Sequence, residues 1–126
     1  MNTKDYIKNT AVTDLDSDGQ QNMAHRCHNV ANLLHYTIGV GTEAAELLDA
    51  VKKHIAYGKP LDLVNIKEET GDLLFYVARI IDMYGWTFEE VMETNINKLK
   101  ARYGTKFSEA AALNRDLEAE RKILEL

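Results

Sequence analysis

The chain has 126 residues, a single cysteine, a single proline and a formal net charge of -5. A chain of this length suits one domain that buries roughly two thirds of its unfolded surface without disulfides or structural zinc. The negative balance argues against a general nucleic-acid coat, which needs concentrated basic surface. Cys27 cannot form an internal disulfide, and neither a charged-then-apolar leader nor a membrane-length apolar run opens the chain, so a cytoplasmic setting is expected.

Residues 1–19 are polar, with Asp14, Asp16, Asp18 and Gly19 gathered just before a periodic segment, and read as a short element followed by a loop. An EF-hand reading of these aspartates fails, because the glutamate needed at the twelfth loop position is missing. Over residues 21–38, Met23, Cys27, Val30, Leu34 and Ile38 form one apolar stripe at helical spacing. Gly39 and Gly41 are expected to loosen the backbone before a second helix over 42–57, which Gly58 stops and Pro60 keeps from continuing. A third helix is expected from about residue 61 or 62 to 84. A fourth starts at the capping box Thr87-x-x-Glu90, with Trp86 and Val91 in staple positions, and ends at Gly104. Ser108 caps a further short helix, and 116–126 form a terminal helical arm. Strand-like alternation is hard to find. The expected fold is therefore all-α: an antiparallel bundle of about four main helices with a short C-terminal helical arm, within one domain over 1–126 (core about 21–104, arm 105–126). The short connections predict that consecutive helices of the core pack as antiparallel neighbours.

Two acidic pairs break the pattern. Glu43-x-x-Glu46 and Glu69-x-x-Asp72 each have i, i+3 spacing and flank a Gly-Lys-Pro turn, so four carboxylates can converge between two helices. On the third helix Glu69 falls in the apolar arc with Ile66, Leu73, Tyr76, Ile80 and Met83, while Lys67, Glu68, Arg79 and Asp82 take the opposite side. An unpaired buried carboxylate is costly, so a cation is expected to meet it. Oxygen-only ligand sets suit Mg2+, or Mn2+ in its place, and these ions accompany nucleotide phosphates. The bland alternative is that such acids form salt bridges or solvated faces.

On the fourth helix Asn95 lies in the apolar arc, with Lys98 and Arg102 along its margin. These residues can hold phosphate oxygens, and the competing reading is snorkelling into water. Lys53 can face the acidic site from the second helix. Zinc is disfavoured because His25 and His28 lack a four-ligand set, and a ferritin-like di-iron site because no Glu-x-x-His pair exists. Cys27 reads as core rather than as a nucleophile.

The two acidic pairs, 22 residues apart, together with the strings GVGTEAAELLDAVKK, EETGDLLFYV and NINKLKARYG, resemble the MazG-like all-α nucleoside triphosphate pyrophosphohydrolases. The likeness covers roughly residues 34–104, and ALNRDLEAERKIL is similar to the tail of small bacterial and phage members. It implies Mg2+-assisted hydrolysis of a (deoxy)nucleoside triphosphate to the monophosphate and pyrophosphate, in nucleotide-pool house-cleaning. Glu43, Glu46, Glu69 and Asp72 would bind metal and supply catalysis; Asn95, Lys98 and Arg102 would contact phosphate or sugar; His35 would border the base. It also implies a homodimer or tetramer, a suggestion that surplus apolar surface on the helices supports. Thr42 stands where some relatives carry a further glutamate. Narrower activity on dUTP, dCTP or phosphoribosyl-ATP, or a non-catalytic helical oligomerisation module, are the alternatives.

Overall fold

The computed structural model describes residues 2–125; Met1 and Leu126, the ends of the expected domain and arm, lie outside the described residues. Among the described residues the chain forms α-helices and one 3-10 turn, with no strand: α1 (Thr3–Thr10), the turn Ala11–Thr13, α2 (Ser17–Asn29), α3 (Ala31–Tyr57), α4 (Leu63–Met83), α5 (Phe88–Tyr103), α6 (Glu109–Leu113) and α7 (Leu117–Leu124). The all-α expectation holds.

Most helix starts are chosen by a short polar side chain that takes an otherwise unpaired backbone N–H. Asp16, from the aspartate run, accepts from Gly19 N at 2.7 Å and so begins α2. Asp62 accepts from Val64 N and Asn65 N at 3.1 Å each and begins α4. At Thr87 the reciprocal capping box is complete: its hydroxyl accepts from Glu90 N, and its own N–H donates to Glu90 Oε2 at 2.7 Å. Ser108 and Asp116 cap α6 and α7 in the same way.

The expected break at Gly39 and Gly41 does not occur. The chain bends instead at Val30 (φ -122°, ψ 24°), and α3 runs unbroken through both glycines. Gly39 is buried beneath the ring of Tyr76 from α4, where a β-carbon would lie 2.5 Å from Cδ1 and from Cζ. Its missing side chain serves a close approach between helices, which offsets the helix-propensity cost of glycine, about 1 kcal/mol. Gly58, with φ 64°, does end α3 as expected: its N–H donates to His54 O and that of Lys59 to Lys53 O.

Most of the packing lies in two units. α3 lies along α4 as a helical hairpin, and α5 carries α6 and α7. Among the shielded positions of α3, Leu33, Tyr36, Gly39, Val40, Glu43, Ala44, Leu47 and Ala50 recur every three or four residues and form one seam, with the partly shielded Asp49 at its edge. Although α4 and α5 are separated by a short turn at Gly85 (φ 70°), they do not lie along one another, contrary to the antiparallel-neighbour expectation. At that turn the Trp86 ring stacks on Tyr84, with centroids 4.8 Å apart. The chain thus leaves much apolar surface uncovered: Ala50 and Ile81 are the buried hydrophobic side chains among the described residues, whereas Leu48 is 69% and Ile55 76% exposed.

Candidate metal and substrate site

Three of the four expected carboxylates meet in the α3–α4 hairpin. Glu43, Glu69 and Asp72 each place an oxygen within 4.8 Å of the others. The register explains the meeting: Glu43 lies in the shielded seam of α3, and Glu69 with Asp72, one turn apart, faces it from α4. Glu69 is only 5% exposed, Glu43 half-buried and Asp72 exposed, so the cluster opens to solvent on the Asp72 side. Glu46 lies outside this group, on the exposed flank of α3.

No lysine or arginine neutralises the three acids among the described residues; the ion pairs all lie elsewhere. Burial, followed by the negative charge of Glu46, Asp72 and Glu69, raises the Glu43 carboxyl above its ordinary value, against a smaller lowering by the Thr42 hydroxyl. A cluster that consists only of oxygen donors and has no internal counter-ion among the described residues fits a hard divalent cation.

Two supporting contacts were not anticipated from the sequence. Asn65 Nδ2 donates to Glu69 Oε1 at 2.7 Å, orienting the buried carboxylate from one helical turn away. The i, i+4 spacing of Asn65 and Glu69 was the available signal. Thr42 Oγ1 donates to Gly39 O at 2.9 Å and lies 3.3 Å from Glu43 Oε1, so Thr42 contacts the cluster through its hydroxyl.

The expected substrate residues are distributed differently. Lys53 pairs with Asp49 at 2.8 Å, an exposed contact within α3, not with the acidic group. His35 is exposed beside two tyrosines, with centroids 5.7 Å from Tyr36 and 6.1 Å edge-on from Tyr76. Asn95 is exposed on α5 in a groove shared with Trp86, Val91, Thr94 and Leu124, and Lys98 is half-buried on the same helix. Arg102 is engaged by Glu120 of α7: its Nε donates to Oε1 at 2.7 Å and its Nη2 to Oε2 at 2.5 Å. Arg115 Nη2 reaches the same carboxylate at 2.7 Å. Since α5 does not pack along the hairpin, Asn95, Lys98 and Arg102 are not gathered with the acids within one chain.

The family model of the MazG nucleotide pyrophosphohydrolase domain matches residues 29–107, and the chain belongs to that family. It is similar to the Gene 37 protein of Mycobacterium phage L5, with 29% identity over 83 residues that span 60% of this chain and 70% of that protein. No solved structure matches it. The family acts on nucleotides and generally uses divalent metals, in keeping with the acidic cluster between α3 and α4. No helix among the described residues is long and apolar enough to cross a membrane.

Proposed function

We propose that this protein hydrolyses a nucleoside triphosphate to the monophosphate and pyrophosphate with Mg2+, for which Mn2+ can substitute, and so clears the cytoplasmic nucleotide pool. The reading rests on one observation above the rest: three carboxylates without a cationic partner converge within 4.8 Å in a member of a nucleotide pyrophosphohydrolase family. Glu43, Glu69 and Asp72 hold the cation. Glu46, whose charge already reaches Glu43, supplies the fourth carboxylate. When bound, the cation neutralises phosphate oxygens and acidifies a coordinated water. A carboxylate left free by the cation would act as the base toward the attacking water, and Asn65, which donates to Glu69, would keep that side chain aligned. Asn95, Lys98 and Arg102 bind phosphate or sugar, His35 borders the base beside Tyr36, and Lys53 screens the entry of the anion.

A homodimer or tetramer accompanies this function. Leu34, Ile38, Gly41, Ala45 and Leu48 follow the 4-3 spacing of a second stripe on α3, which Lys52 interrupts before Ile55, and the four large apolar residues are exposed in one chain. A stripe of that length is expected to be covered by another copy. Within the domain taken as 1–126, the region 105–126 remains an arm on α5. Narrower substrates such as dUTP, dCTP or phosphoribosyl-ATP use the same chemistry.

Phosphorus NMR of products from a nucleotide panel, with and without Mg2+, tests the proposal. Pyrophosphate and a nucleoside monophosphate are expected only with the metal. Release of orthophosphate, or no turnover of any nucleotide, would overturn it.

A further inference from the structure

The C-terminal helix occupies the face of α5 on which the phosphate-binding residues lie. α7 runs back along α5: Glu120 sits at Arg102, Ile123 shares a groove with Thr94 and Asn97, and Leu124 shares another with Val91 and Asn95. Its grip is more ionic than apolar. Leu117 is 62% exposed and Leu124 46%, whereas Glu120 is only 4% exposed and accepts from two guanidinium groups at once. Such a pair stabilises less than its geometry suggests, because desolvation offsets part of the attraction. An element held this way belongs to the easily opened part of a fold.

The charges around Glu120 are unbalanced. Arg102 and Arg115 bring two positive charges to one carboxylate; Arg102 and Glu120 line a cavity of about 160 Å³ together with Ala101, Asn114, Asp116 and Ala119. The Asp116 carboxylate accepts from Ala119 N and is committed to capping α7. A polyphosphate presents the same forked oxygens as Glu120, with more negative charge. Exchanging one anion for the other leaves neither guanidinium unpaired.

We propose that α7 is a displaceable strap: Glu120 stands in for a phosphate group on Arg102 and Arg115, and a polyphosphate takes those guanidinium groups by lifting α7 from α5. The inference rests on the phosphate role proposed for α5 above and adds an autoinhibitory step to it. The strap competes with the anion and lowers its apparent affinity by the fraction of time α7 is docked.

The test uses the full chain, inorganic tripolyphosphate and no added metal, so that the acidic cluster is not engaged. Calorimetry should show Glu120→Gln binding tripolyphosphate about tenfold more tightly than the parent protein, as expected when a docked state of about 90% occupancy is removed. Arg115→Gln should give a smaller change, and adding Arg102→Gln to Glu120→Gln should abolish the gain. In the parent protein, hydrogen exchange across 117–124 should speed up as tripolyphosphate is added. Unchanged or slower exchange there at saturation, or no gain in a Glu120→Gln variant with parental helicity, would overturn the strap. If that variant fails to fold, the exchange result on the parent protein decides. Tighter binding without nucleotide hydrolysis would keep the strap and sink the enzyme reading; hydrolysis with an immobile α7 would do the reverse.

Discussion

The ring of Tyr76 lies over the backbone of Gly39, bringing α3 and α4 close, and one turn further along the hairpin Glu43 and Asp72 meet, with Glu69 a turn beyond Asp72. Replacing Gly39 by alanine puts a β-carbon inside that ring's contact distance. The change should destabilise the protein by about 1–3 kcal/mol despite alanine's better helix propensity, because the ring cannot yield without separating the helices. Gly71→Ala, where nothing lies within 4 Å of the added carbon, should instead be neutral or stabilising by up to about 1 kcal/mol. Urea denaturation of the two variants measures the difference, and equal effects would mean the Tyr76 contact is unimportant.

Glu69→Gln keeps the shape of the buried side chain and an oxygen for Asn65 Nδ2, but removes the charge. Mg2+-dependent turnover should be lost with circular dichroism unchanged, since an amide is a poor ligand for a hard cation. Asn65→Ala should weaken metal binding by about 10- to 100-fold, the usual effect of removing a partner that orients a ligand. Isothermal titration with Mn2+ reads both. Parental metal affinity in Glu69→Gln would remove it from the site.

Two carboxyl groups titrate in opposite senses. Burial and neighbouring acids raise Glu43, so its native form holds a proton more firmly than its unfolded form. The metal-free protein should therefore lose this contribution to stability as pH rises from the ordinary carboxylate value through the raised one, while Mn2+ affinity increases over the same interval. Glu120 is lowered to about 2 by Arg102 first and Arg115 second, so its contribution is present above the ordinary value and lost as pH falls from 4.5 toward 2. Thermal unfolding against pH should show the acid-side loss in the parent protein and a flatter acid limb in Glu120→Gln. Unchanged acid limbs would contradict the assignment.

Leu48→Glu places a charge in the middle of the exposed stripe of α3 without touching the seam to α4. Analytical ultracentrifugation should show a smaller species than the parent protein, because desolvating an unpaired charge opposes burial of the stripe. A parental sedimentation coefficient would direct attention to another face.

The local grammar of this chain was open to direct reading. Asp62, Thr87, Ser108 and Asp116 act on backbone groups two or three residues away, so the sequence alone locates those helix starts. The anomaly of Glu69 was also legible, because helical periodicity places it in an apolar arc without knowledge of its neighbours. Relationships between distant segments were not. Gly39 looked like a helix breaker until Tyr76 from α4 supplied the reason for a missing β-carbon. Arg102 looked free for phosphate until Glu120, 18 residues on, folded back onto it. Glu43 and Glu46 shared one spacing rule, yet only Glu43 falls in the seam, a matter of which face α4 covers. Sequence thus determined helices, caps and the chemical character of the acidic pairs, since these depend on contacts within a turn or two. Tertiary packing alone decided which acids meet and which cations are occupied, because the angular position of a side chain has no consequence until another helix is laid against it.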